Sequence, residues 1–179
     1  MAATAVGRLV TLGAGIGGHT GEGWWQDARV STPMVRLEEV TADNWRRVAA
    51  VKPRPDQRRY VAEVTYYLCL CAYGGIWHPL AIVSGNSVVG HVMWGVDEDG
   101  SRWIGGLVVD ATAQRKGIGR AAMRALVERL AADPACTQVA LSYRADNPAR
   151  GLYAGLGFVE TGELDDGEVV ARLATPRQL

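Results

Sequence analysis

The chain has 179 residues, of which 48% are hydrophobic, and its formal net charge at pH 7 is zero. That length suits one domain with a full core, while the balanced charge and the lack of a long apolar run give no reason to expect nucleic acid or a membrane as a partner. The three cysteines cannot form a closed disulfide framework and lack the spacing of a zinc site, so we expect a reducing, cytoplasmic compartment and no metal.

Residues 1–33 are rich in glycine, alanine and threonine, and their role is a separate question. Residues 13–18 match G-x-G-x-x-G, but the glycine-rich sequence that follows has no helical periodicity. Without a helix there is no dipole to bind a dinucleotide phosphate, so we reject that interpretation. We expect a flexible extension, with Met34 as an alternative start and residues 34–179 as the single domain. The other interpretation is an arm that covers a neighbouring subunit through Trp24 and Trp25.

The first half of the domain predicts strands interrupted by two helices. Proline residues separate the helices, and a Ser-Gly-Asn turn at 84–86 joins two strands into a hairpin. In chain order we predict a strand at 35–40, a helix at 42–51 capped by Thr41, a helix at 56–73, strands at 79–83 and 87–95, and a strand at 102–109.

The second half predicts alternating helices and strands that end in a hairpin. The elements are a helix at 117–132 with Ala121, Ala125, Leu126 and Leu130 facing inward, a strand at 138–143, a helix at 147–156, and strands at 158–164 and 168–172. The whole order is β-α-α-β-β-β-α-β-α-β-β. It predicts an α/β fold, a mixed sheet with helices on both faces.

The junction at residues 107–120, LVVDATAQRKGIGR, predicts a binding site for an anion. An apolar strand enters a glycine-bearing turn that opens a helix, and Gln114, Gly117 and Gly119 have the spacing Q-x-x-G-x-G. Backbone N–H groups at a helix start converge on one point at the positive end of the dipole, where a pyrophosphate fits. Side chains at the glycine positions would hold a phosphate away. Positive charge is added by Arg115, Lys116 and Arg120.

A second motif lies about 30 residues downstream, where residues 147–158 read NPARGLYAGLGF. Together the two motifs resemble the GNAT superfamily of acetyl-CoA-dependent N-acetyltransferases, in which the first is the pyrophosphate loop. The strands and the C-terminal hairpin are most similar to the diamine/spermidine acetyltransferase-like branch. The pair in this order is much more specific than either motif alone.

The resemblance implies a GNAT-like mixed, mostly antiparallel sheet in which two central parallel strands, ending at Val109 and Tyr143, splay apart. Acetyl-CoA would lie in that gap, with its pantetheine arm along the first strand. The implied cofactor-binding residues are Leu107, Val108, Val109, Gln114, Arg115, Lys116, Gly117, Ile118, Gly119, Arg120, Asn147 and Tyr153.

The resemblance also implies that Tyr153 is the general acid that protonates the departing thiolate. A phenol is protonated at neutral pH and can donate, although packing alone is the other interpretation of this tyrosine. The base stays open between Glu63, His91 and an ordered water. Asn147 is expected both to cap the following helix and to contact the cofactor.

The implied reaction is acetyl transfer to the primary amine of a small cationic molecule by direct attack on the thioester. Acidic turns at 97–99 and 163–168 would attract a cation if they face the cleft. Gly105 and Gly106 depart from the branch, where bulkier or charged residues are expected. They would widen the cleft or remove a side-chain contact, which leaves room for a larger amine such as an amine-bearing antibiotic. The alternatives are a non-catalytic acyl-CoA sensor and a protein N-acetyltransferase. An open edge strand in the C-terminal hairpin allows a homodimer.

Overall fold

The computed structural model of the chain describes residues 33–174, so the expectations for the N-terminal extension lie outside the described part apart from Pro33. The elements follow the predicted order. The strands are β1 (Val35–Glu39), β2 (Trp77–Ser84), β3 (Ser87–Val96), β4 (Arg102–Val109), β5 (Gln138–Tyr143), β6 (Val159–Asp165) and β7 (Glu168–Ala174). The helices are α1 (Trp45–Ala49), α2 (Val64–Tyr73), α3 (Ile118–Ala131) and α4 (Arg150–Ala154), and a 3₁₀ turn lies at Pro55–Gln57.

The seven strands form one mixed sheet in the order β1-β2-β3-β4-β5-β7-β6, which confirms the predicted fold class. Only the central pair, β4 and β5, is parallel among the described strands. Side chains alternate across a strand. Leu80 and Ile82 of β2 therefore pack with α3 in one core, whereas Ala81 and Val83 pack with Val48 and other residues in a second core on the opposite face.

The parallel pair is joined at one end only. Its register runs from Arg102 opposite Val139 to Ile104 opposite Leu141 and stops there. Beyond this point β4 carries a bulge against β3, and Gly106 within the bulge has φ +58°. A bulge bends its strand and increases the local twist. The two strands therefore open into the gap that the resemblance implied.

The first and last helices, α1 and α4, are shorter than predicted. At the first, residues 42–44 form a turn, and Asn44 rather than Thr41 precedes α1. The Asn44 amide accepts a hydrogen bond from the Thr41 backbone N–H at 2.8 Å and donates to the Glu39 carbonyl at 2.9 Å, which fixes the turn. At the last, α4 spans only Arg150–Ala154 instead of 147–156.

The predicted helix at 56–73 is wrong over its first half. The chain makes a 3₁₀ turn and then an irregular segment, and Glu63 is extended with ψ 141° just before α2. Two side-chain hydrogen bonds hold this segment: the Tyr60 hydroxyl donates to the distant Asp146 carbonyl at 3.0 Å, and the hydroxyl of nearby Tyr67 accepts from the Ala62 N–H at 2.9 Å. Sequence periodicity carries no information about either partner.

The core face of α3 is shifted from the prediction by about one residue. Leu126 and Leu130 are buried as expected, but Ala121 and Ala125 are only half-buried. Ile118, Ala122 and Met123 take their places in the core. The difference places the small residue Gly119 and the start of the helix beside the gap between β4 and β5.

Candidate active site

The start of α3 forms one wall of a cavity of about 540 Å³. Gly117 precedes the helix with φ +77°, a conformation that L side chains rarely adopt. A Cβ on Gly119 would lie 3.7 Å from Val109 Cγ2 and 3.9 Å from Leu152 Cδ2, between two side chains that line the cavity. Because neither glycine carries a side chain, the backbone N–H groups at the start of the helix are open to a pyrophosphate.

The polar side chains of this loop have different roles. Gln114 Nε2 donates to the Val109 carbonyl at 2.9 Å and to Gln57 Oε1 at 2.7 Å, so its amide braces the loop. Lys116 Nζ donates to the Thr112 carbonyl at 2.9 Å and does not line the cavity. Arg115 and Arg120 line it. Of the three expected cations, the two arginines therefore add positive charge at the cavity; Arg54 also lines it, but its guanidinium pairs with Asp56 Oδ1 at 3.1 Å.

A second cavity of about 240 Å³ lies in the gap itself, against Gly105, Gly106 and the end of β5. Its lining includes five residues that also line the larger cavity: Tyr60, Val61, Leu107, Asn147 and Tyr153. We therefore describe one cleft with two ends. The donor end contains the anion loop, and the acceptor end contains the residues between the splayed strands.

Tyr153 lies where the two ends meet. Its ring packs against Tyr143, with centroids 5.2 Å apart, and edge-on against Phe158 at 6.3 Å. Burial raises the pKa of the Tyr153 phenol to about 12, and the neighbouring Tyr143 acts in the same direction. The phenol is therefore protonated at neutral pH and available as a proton donor to a group in the cleft.

Asn147 also lines both ends of the cleft. Its Oδ1 accepts a hydrogen bond from the Ala149 backbone N–H at 2.9 Å. The expected helix cap is thus replaced by a local turn, because α4 begins only at Arg150. The side chain nevertheless stands at the junction where the resemblance implied a cofactor contact.

The acceptor end contains two carboxylates. Asp165 and Glu168 flank the turn between β6 and β7, and the Ser142 hydroxyl lies 3.1 Å from Glu168 Oε2 and 3.5 Å from Asp165 Oδ2. The other acidic turn, at 97–99, does not line either end of the cleft. A negative site beside Tyr153 suits a cationic molecule.

The two glycines of β4 do not widen the acceptor end, contrary to the expectation from the sequence. A Cβ on Gly105 would lie 3.0 Å from Met93 Cε and 3.4 Å from the Trp77 ring. A Cβ on Gly106 would lie 3.2 Å from the Tyr67 ring. Large side chains from neighbouring elements occupy the space that the glycines leave, so the cavity stays small.

The structure brings neither of the two expected base residues to the wall of the cleft. Glu63 is exposed and pairs with Lys52 Nζ at 2.6 Å, which lowers the pKa of its carboxyl. His91 is fully buried, and burial lowers its pKa to about 4. Neither residue lines the donor or the acceptor end. Their positions therefore do not support a direct role in proton abstraction.

Several lining residues were missed in the sequence. Tyr60 and Val61 belong to the segment that the periodicity predicts as a helix. Trp103 is expected only as a strand residue, and Trp77 lies outside the predicted strand at 79–83. No local pattern marks these residues, since the bulge and the turn bring them to the cleft. Asp165 and Glu168 could be found from the sequence, because acidic residues cluster in the last turn.

Two properties of the described residues 33–174 concern other kinds of site. None of their helices is long and apolar enough to cross a membrane. Within the same range, no three histidine, cysteine, aspartate or glutamate side chains are grouped so that they could hold a metal ion.

Sequence comparison finds a family and a characterised relative. A family model described as the acetyltransferase (GNAT) family matches residues 37–158. The chain is 30% identical over 150 residues to a spermine/spermidine N(1)-acetyltransferase of Bacillus subtilis (strain 168). That match covers 76% of this chain and 95% of the relative.

Comparison with solved structures finds the same fold. A spermidine N-acetyltransferase from Vibrio cholerae, in complex with CoA and spermine, has a TM-score of 0.62 and 15% identity, covering 79% of this chain and 95% of that chain. The aminoglycoside acetyltransferase AAC(6')-Ib in complex with coenzyme A has a TM-score of 0.65 and 23% identity, covering 80% and 96%. At these identities the likeness shows the fold alone.

Proposed function

This chain belongs to the GNAT family of acetyltransferases, and from the cleft we propose that it transfers an acetyl group from acetyl-CoA to a primary amine of a small, slender cation of the polyamine type. The observation that carries the proposal is the arrangement of one cleft around Tyr153, with an anion loop at one end and two carboxylates at the other. Acetyl-CoA supplies the acetyl group as a thioester.

The donor end carries hydrogen-bonding and charged groups that suit the phosphates of acetyl-CoA. The first turn of α3 offers backbone N–H groups beside Gly117 and Gly119, and Arg115 and Arg120 add charge for the phosphates. Leu107 and Val109 line the same cavity on the side of β4 where the ladder to β5 has ended. Unpaired strand edges accept an extended chain, so this edge would hold the pantetheine arm.

The acceptor end would bind and orient the amine. Asp165 and Glu168 attract the cation, while Trp77, Trp103 and Tyr67 provide aromatic faces for ammonium groups and methylene chains. The attacking nitrogen must be neutral. The carboxylates are the acidic side chains that line this end among the described residues, so the proton lost by the amine leaves toward them, directly or through water.

Tyr153 is placed to complete the transfer. As the nitrogen bonds to the acetyl carbon, the C–S bond breaks and the sulfur takes the electron pair. Burial keeps the Tyr153 phenol protonated at neutral pH, so it holds a proton that it would give to that sulfur. Backbone N–H groups of the bulge in β4, where the register with β3 is interrupted, would donate hydrogen bonds to the acetyl oxygen.

The size of the acceptor end favours a small amine. Its volume of about 240 Å³ lies below the roughly 300–1,000 Å³ of pockets that take drug-sized ligands. We therefore place polyamine-like acceptors before amine-bearing antibiotics. The B. subtilis relative, named a spermine/spermidine acetyltransferase, supports the same order.

The proposal is tested with purified protein, acetyl-CoA and a panel of amines. The panel contains spermine, spermidine, an aminoglycoside and a peptide with a free N-terminal alanine, and the measurements are release of free CoA thiol and the mass of the acetylated product. We expect the polyamines to give the highest kcat/KM. Thiol release only with the aminoglycoside or the peptide would contradict the acceptor class. Tight acetyl-CoA binding without turnover on any amine would favour a non-catalytic acyl-CoA sensor.

Two further proposals concern the setting of the enzyme. Cys69, Cys71 and Cys136 are free thiols, which supports a reducing, cytoplasmic location. Strand β6 lies at one edge of the sheet and is exposed along its length, which supports a homodimer formed by pairing of this edge with a second copy. Sedimentation of the purified chain over a range of concentrations would test the second proposal.

A further inference from the structure

We propose that His91 is a positioning residue that holds the bulge of β4 in place, so that the backbone of Gly106 and Leu107 is aimed into the cleft. The inference rests on the proposed acetyl transfer and concerns a residue that touches neither substrate. It gives His91 a role other than that of a base.

The first observation is a hydrogen bond to the bulge itself. His91 Nδ1 lies 2.9 Å from the Gly106 carbonyl oxygen, and the imidazole is fully buried. A carbonyl oxygen only accepts, so Nδ1 must carry the proton. The contact therefore joins β3 to Gly106 of β4, which has φ +58° and is not paired with a residue of β3 because it lies in the bulge.

The second observation is that the ring is held neutral. Burial lowers the pKa of His91 to about 4, and Nε2 has no hydrogen-bond partner within the described residues. With Nδ1 protonated, Nε2 is an unprotonated acceptor buried in an apolar setting. His91 forms no ion pair within residues 33–174 and lines neither end of the cleft, so the ring neither takes up nor passes on a proton at neutral pH.

The third observation is a second ring that supports the same point. Tyr67 of α2 stacks on His91, with centroids 5.7 Å apart and planes inclined by 6°. Both rings lie against Gly106, since a Cβ there would meet Tyr67 Cγ at 3.2 Å and His91 Cε1 at 3.3 Å. The Tyr67 hydroxyl also accepts from the Ala62 N–H. One stacked pair therefore fixes the bulge and the segment that carries Tyr60 and Val61.

The consequence for the reaction follows from the position of the bulge. Gly106 and Leu107 line the acceptor end, and Leu107 lines the donor end as well. Without the His91 hydrogen bond, the Gly106 carbonyl would rotate to find another donor, and the adjoining peptide N–H would turn with it. A displacement of about 1 Å at a reacting centre costs about a hundredfold in rate.

The test compares two substitutions of His91 with a matched core substitution. His91→Phe keeps a ring against Tyr67 but removes the donor, whereas His91→Asn keeps an N–H donor near the position of Nδ1. We expect His91→Phe to lower kcat by about tenfold to a hundredfold with acetyl-CoA affinity within about twofold, and His91→Asn to recover much of the loss. Val83→Ala, in the buried cluster against which Tyr67 packs, should lose stability without losing kcat.

Three results would overturn the inference. The first is a kcat for His91→Phe equal to that of the parent. The second is equal inactivity of both His91 variants, which would indicate proton transfer by the imidazole. The third is equal rates of amide hydrogen exchange at Gly106 and Leu107 in His91→Phe and Val83→Ala. We expect faster exchange in His91→Phe, and this measurement does not require the enzyme to turn over. If the parent turns over no amine, the proposed function fails, and the exchange measurement still decides whether His91 holds the bulge.

Discussion

The Tyr153 ring lies 5.2 Å from the Tyr143 ring, centroid to centroid, and the two planes are inclined by 34°. The two phenols differ in their partners. The Tyr143 hydroxyl donates to Glu160 Oε1 at 2.8 Å, whereas the Tyr153 hydroxyl has no hydrogen-bond partner among residues 33–174. Tyr143 therefore serves as a fixed support for the ring of Tyr153, whose hydroxyl is left for a group in the cleft.

This difference predicts the effect of removing each hydroxyl. Tyr153→Phe should lower kcat by about a hundredfold or more, because general acid catalysis contributes about 10²–10⁴-fold. The Phe ring retains the contacts with Tyr143 and Phe158, so thermal stability and acetyl-CoA affinity should change little. Steady-state kinetics and calorimetric binding of acetyl-CoA provide the measurements.

Tyr143→Phe is the matched control for the Tyr153 substitution. It removes the hydrogen bond to Glu160, a residue that also pairs with Arg150, and leaves the ring pair in place. We expect a loss of stability of about 1 kcal/mol and a kcat close to that of the parent. Equal kcat values for Tyr153→Phe and the parent enzyme would remove Tyr153 from the mechanism.

The carboxylates at the acceptor end predict weaker binding of the amine and, because they receive its proton, a lower kcat, with acetyl-CoA binding unchanged. Glu168→Gln, and to a lesser extent Asp165→Asn, should raise KM for a polyamine by about tenfold, since hydrogen bonds to charged groups contribute about 1.5–3 kcal/mol. The larger effect is expected at Glu168 because Glu168 is half-buried and Asp165 is exposed. Affinity for acetyl-CoA, measured by calorimetry, should be unchanged because neither residue lines the donor end.

Asp166→Asn provides the control in the same turn. Asp166 has φ 47°, a conformation that asparagine also adopts, and its side chain does not line the acceptor end. Its loss of charge should leave KM for the polyamine within about twofold of the parent, because the remaining effect is a screened surface charge. A rise in KM as large as that of Glu168→Gln would mean that the overall charge of the turn, rather than the lining carboxylates, attracts the amine.

The sequence predicted the parts of the site that lie on continuous motifs. The turn from Val109 into α3 and the position of Tyr153 before Leu156 follow from local spacing, and the structure places both at one cleft. Segment 58–63 could not be predicted, because its shape depends on a hydrogen bond to Asp146, 86 residues from Tyr60, and on one to the Tyr67 side chain, neither of which follows from periodicity.

The role of Gly105 and Gly106 shows the same limit. From the sequence, two glycines in a strand indicate open space. In the structure Trp77 and Tyr67 occupy that space from other elements, and the register against β3 puts a bulge at this point. A glycine in a strand can mark a bulge or the close approach of another group, and the packing of the neighbouring elements decides which space it leaves.

Replacing Gly119 with alanine is expected to raise the stability of the fold and to weaken cofactor binding. Gly119 lies inside α3 at an ordinary φ, and an added Cβ would make only van der Waals contacts of 3.7 and 3.9 Å. Gly119→Ala should therefore fold normally and gain up to about 1 kcal/mol in the free energy of unfolding. The new methyl would occupy the wall of the donor end, so the Kd for acetyl-CoA should rise by about tenfold.

Gly151→Ala is the control for this substitution. Gly151 lies in α4, where a Cβ would have no neighbour within 4 Å, and it does not line the cleft. Its replacement should stabilise the helix to a similar degree with no change in the Kd for acetyl-CoA. If Gly119→Ala also bound acetyl-CoA as the parent does, the start of α3 would not be the phosphate site.

Burial of neutral His91 predicts that folding depends on pH. The pKa of His91 is about 4 in the folded chain, against about 6.5 for an unfolded histidine. Between these values the unfolded chain binds a proton that the folded chain does not, so the free energy of unfolding falls as the pH falls. From pH 7.5 to pH 5 the loss should be about 2 kcal/mol. The ring that faces His91, that of Tyr67, does not titrate in this range because burial raises its pKa above 10.

Urea unfolding at pH 7.5, 6 and 5 measures this loss, and His91→Phe is the reference. The carboxyls with lowered pKa, such as those of Asp110 and Asp133, titrate below this window, so their contribution is small in both proteins. The variant should be less stable at pH 7.5, because the Gly106 carbonyl has lost its donor, yet its stability should change less between pH 7.5 and 5. If the free energy of unfolding fell equally with pH in both proteins, the imidazole would take up its proton in the folded chain as well. A charged His91 could not be the neutral support of the β4 bulge.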